Sequence, residues 1–381
     1  MTITTKRLVY IFLTLAINSG CTTAVLQKTK YQATELPQKV IDLRHTSTLR
    51  QLLPELAQQQ VVLVGESHTN YGDHINQLHI IKALHAYWPD MGVGMEYVQS
   101  PFQKALDDYV AGKISDAQML QQTQWYQRWG YDFRLYRDIF HYAKTNKIPL
   151  IALNAPRELT KKISRRGIAG LSAADRRYLP AQITRSKAYR ARLTDVFEQH
   201  SRGSSKGLEN FIDVQLGWDE SMAANTVKAL RSGKVRHMVL LAGAGHVLHQ
   251  AIPVRLEKHG IRSMVIVSDF PEQLSEVDLV LPSSKKRLPK AGKIGVYLAT
   301  ANSGVLVAGL STKHGSVLKK GDVIISINGK KTLTPDDIKI QLLDKKPGAI
   351  VNIEIQRQQH AKLPRSRASR PVTLHKKIKL H

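Results

Sequence analysis

Val61-Val62-Leu63-Val64-Gly65-Glu66-Ser67-His68 and Met238-Val239-Leu240-Leu241-Ala242-Gly243-Ala244-Gly245-His246 decide how this chain reads. Each is a short, unbroken apolar run that leaves through Gly-X-X-His. Apolar runs of this length without alternation are strands covered on both faces, which is the condition of a parallel sheet. Runs of the same kind stand at Gly92–Met95, Pro149–Leu153 and Met264–Val267, with helical periodicity between them at Asp73–Tyr87, Pro101–Ala111, Phe133–Lys147 and Leu208–Arg231. The alternation predicts an α/β domain, a parallel sheet flanked by helices. Residues 157–206 interrupt it as a helical, basic insertion, in which Ser172 reads as a helix cap.

If the strands are parallel, their polar ends share one edge, and that edge is where α/β proteins bind ligands. Glu66, His68, Glu96 and His246 are therefore the candidate pocket, with Asn154 at the end of a further strand. The glycine of each Gly-X-X-His is expected to permit the turn out of the strand and to let a ligand approach the backbone. On the Leu208–Arg231 helix, Gln215 and Asp219 share a face with Phe211, Trp218 and Met222. A carboxylate in an apolar stripe needs a partner or a cation, so Asp219 and Gln215 join His74 and Asn154 as ligand-binding candidates. His68, His246 and Glu96 are also the right donor types for a divalent metal that activates water. Without a metal, the same groups could act as a His/Glu general base.

The amino terminus carries Lys6 and Arg7, an apolar core from Leu8 to Ile17, and Asn18-Ser19-Gly20 before Cys21, the only cysteine of the 381 residues. That is the order of an export signal, and its core is too short to span a membrane. The sole cysteine after small residues resembles a bacterial lipobox, which implies cleavage after residue 20 and a lipid on Cys21. An ordinary signal peptide cut nearby is the alternative. With the thiol acylated, cysteine chemistry is excluded. Because Thr22 rather than Asp follows, the expected address is the outer membrane, facing the periplasm. The chain carries 56 Lys+Arg against 30 Asp+Glu, a net +26, which favours anionic partners. Export argues against nucleic acid and for anionic lipids. The excess concentrates between Arg157 and Lys206, with 13 basic against 4 acidic residues, and in the tail from Gln356 to His381, with eight basic residues and no acid.

Around Pro271–Lys293 the periodicity stops. After it, Ser303-Gly304-Val305-Leu306-Val307, Gly315-Ser316 and Lys320-Gly321-Asp322-Val323-Ile324-Ile325-Ser326-Ile327-Asn328-Gly329 resemble a bacterial PDZ domain, with Thr334–Leu343 as its groove helix and Val351–Arg357 as its closing strand. The resemblance implies a peptide or protein C-terminus held by strand addition, with the amides of Gly304, Val305 and Leu306 as the carboxylate nest. Ser316-Val317-Leu318-Lys319-Lys320 departs from the usual turn, which leaves a structural or homodimerising role open. The expected organisation is a signal peptide (1–20), lipid anchor and tether (21–44), α/β domain (45–272), linker (273–292), PDZ domain (293–358) and basic tail (359–381).

The first domain, over roughly residues 45–270, resembles the superfamily that joins ChaN-like haem-binding lipoproteins, Tiki-type metalloproteases and erythromycin-esterase-like hydrolases. Val64-Gly65-Glu66-Ser67-His68, Gly94-Met95-Glu96, Trp129-Gly130-Tyr131-Asp132, Ala152-Leu153-Asn154-Ala155-Pro156, Gln215-Leu216-Gly217-Trp218-Asp219-Glu220-Ser221-Met222-Ala223 and Gly245-His246 carry the resemblance, which leans to the ChaN-like branch. It implies an envelope lipoprotein that binds haem or iron, with the basic insertion suited to propionates. Tyr71, Tyr97, Tyr126 and Tyr131 are candidate tyrosinate ligands, and Trp125 and Trp129 supply apolar wall. A binding protein is favoured over the metal-dependent hydrolase built on the same residues; a non-catalytic scaffold is the third reading. If Cys21 carries the anchor, Cys21→Ala should release the protein from the membrane pellet under salt and carbonate washing. Retention in the pellet would contradict it.

Overall fold

The computed structural model describes residues 44–201, 207–271, 274–311, 317–358 and 371–381. Of the separate unit Met1–Thr48, only residues 44–48 are among them, so the signal peptide and Cys21 lie outside the described residues. Gly315 and Ser316 do too, as do 359–370 of the tail. No helix among the described residues is long and apolar enough to cross a membrane.

In the unit Leu49–His381, strands β1 (Val61–Glu66), β2 (Met91–Gln99), β3 (Leu150–Asn154), β4 (His237–Gly243), β5 (Ser263–Val267) and β6 (Leu279–Val280) form one parallel sheet in the order β3-β2-β4-β1-β5-β6. Every residue of β1 is buried, as an unbroken Val-Val-Leu-Val run requires. Its side chains alternate between two cores. Val62 and Val64 face one side with Val93, Met95 and Leu241; Val61 and Leu63 face the other with Met238 and Leu240.

The first side is covered by α1 (Leu49–Leu56), α2 (Tyr71–His85), α3 (Gln103–Val110), α4 (Asp116–Gln122), α5 (Trp125–Arg128) and α6 (Arg137–Asn146). The insertion supplies α7 (Arg157–Arg166), α8 (Ala173–Arg176) and α9 (Lys187–Ser201), and leads to α10 (Leu208–Arg231). Ser172 caps α8 through the Asp175 amide, as its position suggested. The first half of α10 packs Ile212 and Leu216 against Leu159, Ile163 and Tyr189 of the insertion; its second half lays Met222 and Val227 on the sheet. Short helices α11 (Ala244–Val247) and α12 (Ile252–Glu257) follow β4.

The carboxyl-terminal region is an antiparallel sheet of β7 (Val296–Ala301), β8 (Gly304–Leu310), β9 (Val323–Ile327), β11 (Ile350–Arg357) and β12 (Val372–Lys379), in the order β12-β11-β9-β8-β7, with β10 (Lys330–Lys331) on β9 and helix α13 (Pro335–Leu342) beside it. Asp322 of the Gly-Asp motif is buried and pairs with Arg357 at 2.6 Å while accepting from the Lys319 amide.

Two stretches differ from the sequence reading. The expected linker holds β6 and is fastened to α2: Asn76 donates to Leu281 O, and Ser284 O lies where a Gly72 Cβ would be. A two-residue strand carries no periodicity to read. Of the expected basic tail, residues 372–379 are β12, whose Ile378 is buried together with Leu380; Lys376, Lys377 and Lys379 around it hid that pattern.

Neither glycine of the Gly-X-X-His motifs takes a positive φ. Both serve close approach instead. A Cβ on Gly65 would stand 2.6 Å from Val247 Cγ2 and 3.0 Å from Ala244 Cα, so α11 can lie directly on β1. Gly65→Ala should therefore cost roughly 1–3 kcal/mol by overpacking, read as a lowered urea midpoint. An unchanged midpoint would refute the close-packing role.

Candidate functional site

All strands of the parallel sheet point the same way, so the ends of β1, β2, β3 and β4 open on one edge. A cavity of about 620 Å3 lies there, lined by His68, Glu96, Asn154 and His246 among others. Glu96 is not at a strand end. The pairing of β2 with β4 stops at Met95, and β2 runs on to Gln99, so Glu96 is the residue that follows the ladder.

Its carboxylate, 5% exposed, accepts the Gly243 amide at 2.7 Å through Oε2 and sits 3.6 Å from His246 Nε2 through Oε1. His246 donates from Nδ1 to Asp219 Oδ1 at 2.6 Å, and Tyr189 of α9 donates its hydroxyl to Asp219 Oδ2 at 2.6 Å. Asp219, fully buried on α10, thus stands behind His246 rather than in the cavity. The second imidazole, His68, donates from Nδ1 to Glu66 Oε1 at 2.7 Å. Its ring meets Trp129 edge-on at 4.7 Å and Tyr131 at 5.0 Å, and 30% of its side chain is exposed. Gly243 gives this ring room, because a Cβ there would be 2.9 Å from His68 Cε1.

The electrostatics follow from these contacts. Burial alone would lower the His246 pKa; the charges of Glu96 and Asp219 and the Asp219 hydrogen bond outweigh it and hold it at about 9 against an ordinary 6.5. For His68, too, burial opposes charge, and the hydrogen bond and carboxylate of Glu66, with Glu96, raise the pKa.

Other candidates are placed differently. His74 is buried behind Glu66, its Nδ1 on Gln77 and its Nε2 3.8 Å from Glu66 Oε2. Gln215, on α10, does not line the cavity. Asn154 does, while its Oδ1 accepts the Ala155 amide. Among the described residues no group of three or more His, Cys, Asp or Glu is arranged to hold a metal ion. The expected His68/Glu96/His246 metal set is not such a group in this arrangement; His68 Nδ1, His246 Nδ1 and Glu96 Oε2 each hold a protein partner. Of the tyrosines, Tyr71 donates to Asp138 and Tyr126 lines a different cavity; Tyr97 and Tyr131 line this one, Tyr97 with its hydroxyl on Gln77 and Tyr131 beside the His68 ring. Trp125 belongs to the core; Trp129 and Trp218 form the wall.

The sequence reading missed the residues at the mouth. Arg128 binds Gln99 Oε1 at 2.7 Å and grips Glu158 with both terminal nitrogens, whereas Arg157 and Lys161 of α7 are exposed at the rim. Reading β2 to its last residue would have found Gln99.

The PDZ-like nest is not where it was expected. Val305 and Leu306 lie in β8, paired on one side with β7 and on the other with β9, and a Gly304 Cβ would meet Ile324 O at 2.5 Å. An interior strand has no free edge to offer a peptide. The open groove, of about 490 Å3, runs between the edge strand β7 and α13.

Residues 52–256, more than half of the chain, match the family model described as haem-binding uptake, Tiki superfamily, ChaN; residues 292–363 match that of the PDZ domain. Among solved structures, one described as cofacial heme binding to ChaN of Campylobacter jejuni is similar at 20% identity and a TM-score of 0.53, over 63% of this chain and 93% of that one. That likeness shows a shared fold. The type III effector HopBA1 (10% identity, TM-score 0.37, 61% and 92% covered) and an erythromycin esterase EreC mutant (13%, 0.35, 57% and 72%) are more distant. No curated protein matches the chain.

His246 gives a pH signature. A pKa raised on folding stabilises fully below about 6.5, and that stabilisation is lost as pH rises through about 9. Melting from pH 6 to 10 should show His246→Gln, which lacks this contribution, with a flatter profile than the parent over that window. The gap, on the order of 3 kcal/mol at pH 6, should shrink toward pH 9.5. Parallel profiles would contradict the assignment.

Proposed function

This chain belongs to the haem-binding uptake family of the Tiki superfamily represented by ChaN, and from that membership we propose that it binds haem in the strand-end cavity as a lipid-anchored protein of the bacterial envelope. The observation that carries the reading is the pairing, in one cavity, of aromatic lining with cations at its rim: Trp129 and Tyr131 against His68, Trp218 against His246, and Arg157 and Lys161 at the mouth. A flat apolar ring with two carboxylates needs both, and a small scissile bond needs neither. The donor set is compatible with iron. His68 has its Nδ1 proton on a carboxylate, the arrangement that orients a metal-ligating imidazole and raises its basicity, and Tyr131 stands against the same ring. Haem iron takes either type of ligand. When bound, the haem would supply the iron centre; His68 or Tyr131 would hold it, Trp129 and Trp218 would supply apolar lining, and Arg157 and Lys161 would neutralise its carboxylates.

The hydrolytic reading has less support. A general base must be unprotonated at working pH, and His246, with a pKa near 9, is mostly protonated at neutral pH. The lipobox-like Cys21 supports the envelope address, and the PDZ match supports a peptide partner at the carboxyl-terminal domain.

Titrating the protein with haemin should develop a Soret band at micromolar concentrations. His68→Ala and Tyr131→Phe should each shift the band or weaken binding, and Arg157→Glu with Lys161→Glu should weaken binding about tenfold or more, as loss of charge-assisted contacts predicts. Absence of a Soret response, or variants identical to the parent, would overturn the reading.

A further inference from the structure

The groove of the PDZ domain and the strand-end cavity share a wall. From residue 126 to 134 the chain runs between them, and its side chains divide. Tyr126, Gly130, Asp132 and Arg134 line the groove. Gln127, Arg128, Trp129 and Tyr131 line the cavity. The opposite wall of the groove is shared in the same way. Helix α13 turns Ile338 and Leu342 into the core of its own domain, while Ile340 and the following Leu343 enter the core of the α/β domain. Arg137–Asp344 at 2.7 Å and Gln121–Asp337 at 3.3 Å add polar contacts across the same boundary. Arg134 links segment to linker, binding Asp132 and the carbonyl of Pro289.

The groove has the chemistry of a strand acceptor. β7 stands at the end of its sheet, with β8 on one side. Its floor is apolar, from Ile294, Val296, Leu298, Ile338 and Leu342. Among its lining residues, Gly295 takes a φ of 73°, a left-handed turn beside Lys293, whose amide donates to His381 O at 2.9 Å and whose exposed side chain brings a positive charge that favours an anionic chain end. An extended peptide ending in a free carboxylate and apolar side chains fits this surface. Such a peptide would lie against Tyr126 and Lys339, whose ammonium sits 4.9 Å over the Tyr126 ring.

We propose that binding of such a carboxylate-ended peptide in the β7–α13 groove is coupled to occupancy of the strand-end cavity through the segment 126–134. The inference rests on the haem reading for the identity of the second ligand, and on the groove for the first. The coupling is reciprocal by linkage: whatever factor haem imposes on peptide affinity, the peptide imposes on haem affinity. The segment can carry it because adjacent side chains face opposite cavities, so a shift that accommodates a peptide against Tyr126 also moves Trp129 and Tyr131.

The test uses the full chain, haemin, and the tightest-binding member of a library of decapeptides with free carboxyl termini. Amide hydrogen exchange is read first, with peptide alone. Exchange across 126–134 should change, including at Trp129 and Tyr131, and no haem is needed for this measurement. Haemin should then change the peptide Kd at least fivefold, in the range usual for coupled sites, with an equal factor for the peptide's effect on haemin. Lys293→Glu, an exposed position in the loop, should weaken the peptide tenfold or more while leaving haemin affinity alone. The proposal is overturned if no library member binds, if Lys293→Glu binds peptide as the parent does, or if the peptide binds without altering exchange at 126–134 or haemin affinity. If haemin itself does not bind, the haem reading falls separately, and the exchange result alone upholds or sinks the link between the two cavities.

Discussion

Glu66, Glu96 and Asp219 are buried carboxylates gathered at one edge of the parallel sheet, and the need to neutralise each of them organises what surrounds the cavity. An ion removed from water costs several kcal/mol unless hydrogen bonds and opposite charge replace its hydration. Glu66 is met by His68, Glu96 by the Gly243 amide and His246, and Asp219 by His246 and Tyr189. The partners come from separate parts of the chain: the turn after β1, the turn after β4, and the insertion. Each of those parts must dock accurately or leave a charge uncompensated. The insertion is thus more than a source of positive charge. Through Tyr189, whose ring has the guanidinium groups of Arg192 and Arg255 5.2 Å and 5.0 Å from its centre, it completes the support of the site.

Much of the fold was legible because the chain repeats one physical statement, a fully apolar strand followed by a polar turn. β1 and β4 declare themselves by composition, and the stripe holding Asp219 on α10 announced a buried charge that needed a partner. What could not be read depends on docking. Thirteen cations between Arg157 and Lys206 are visible as a count, but that Arg157 and Lys161 reach the cavity mouth follows from how α7 lies on α10, where Gly217 brings Ile163 close. The role of Gly65 and Gly243 was misread for the same reason. Glycine after an apolar run suggests a turn or a ligand, and only the packed structure shows α11 and the His68 ring in the space left by the missing side chains. The PDZ nest was misplaced because Gly304-Val305-Leu306 is apolar and glycine-led, as a nest would be, yet it is flanked by strands on both sides.

The two domains are also less separable than their sequences suggest. A helix whose alternate faces enter two cores, and a segment whose alternate side chains line two cavities, make the boundary a shared structure rather than a joint. The linker reinforces this by adding β6 to the edge of the parallel sheet.

Strand β12 has a practical side. It arrives after residues 359–370 and covers β11 along its full length, from Ile350 opposite Lys379 to Arg357 opposite Val372. A chain shortened to the end of the PDZ match, at residue 363, would leave β11 as a bare edge of eight residues beside the apolar surface that Ile378 and Leu380 now cover. Uncovered edges of that length recruit strands from other molecules. The carboxyl-terminal strand therefore serves as a guard against self-association, and solubility is the property that trimming it would put at risk.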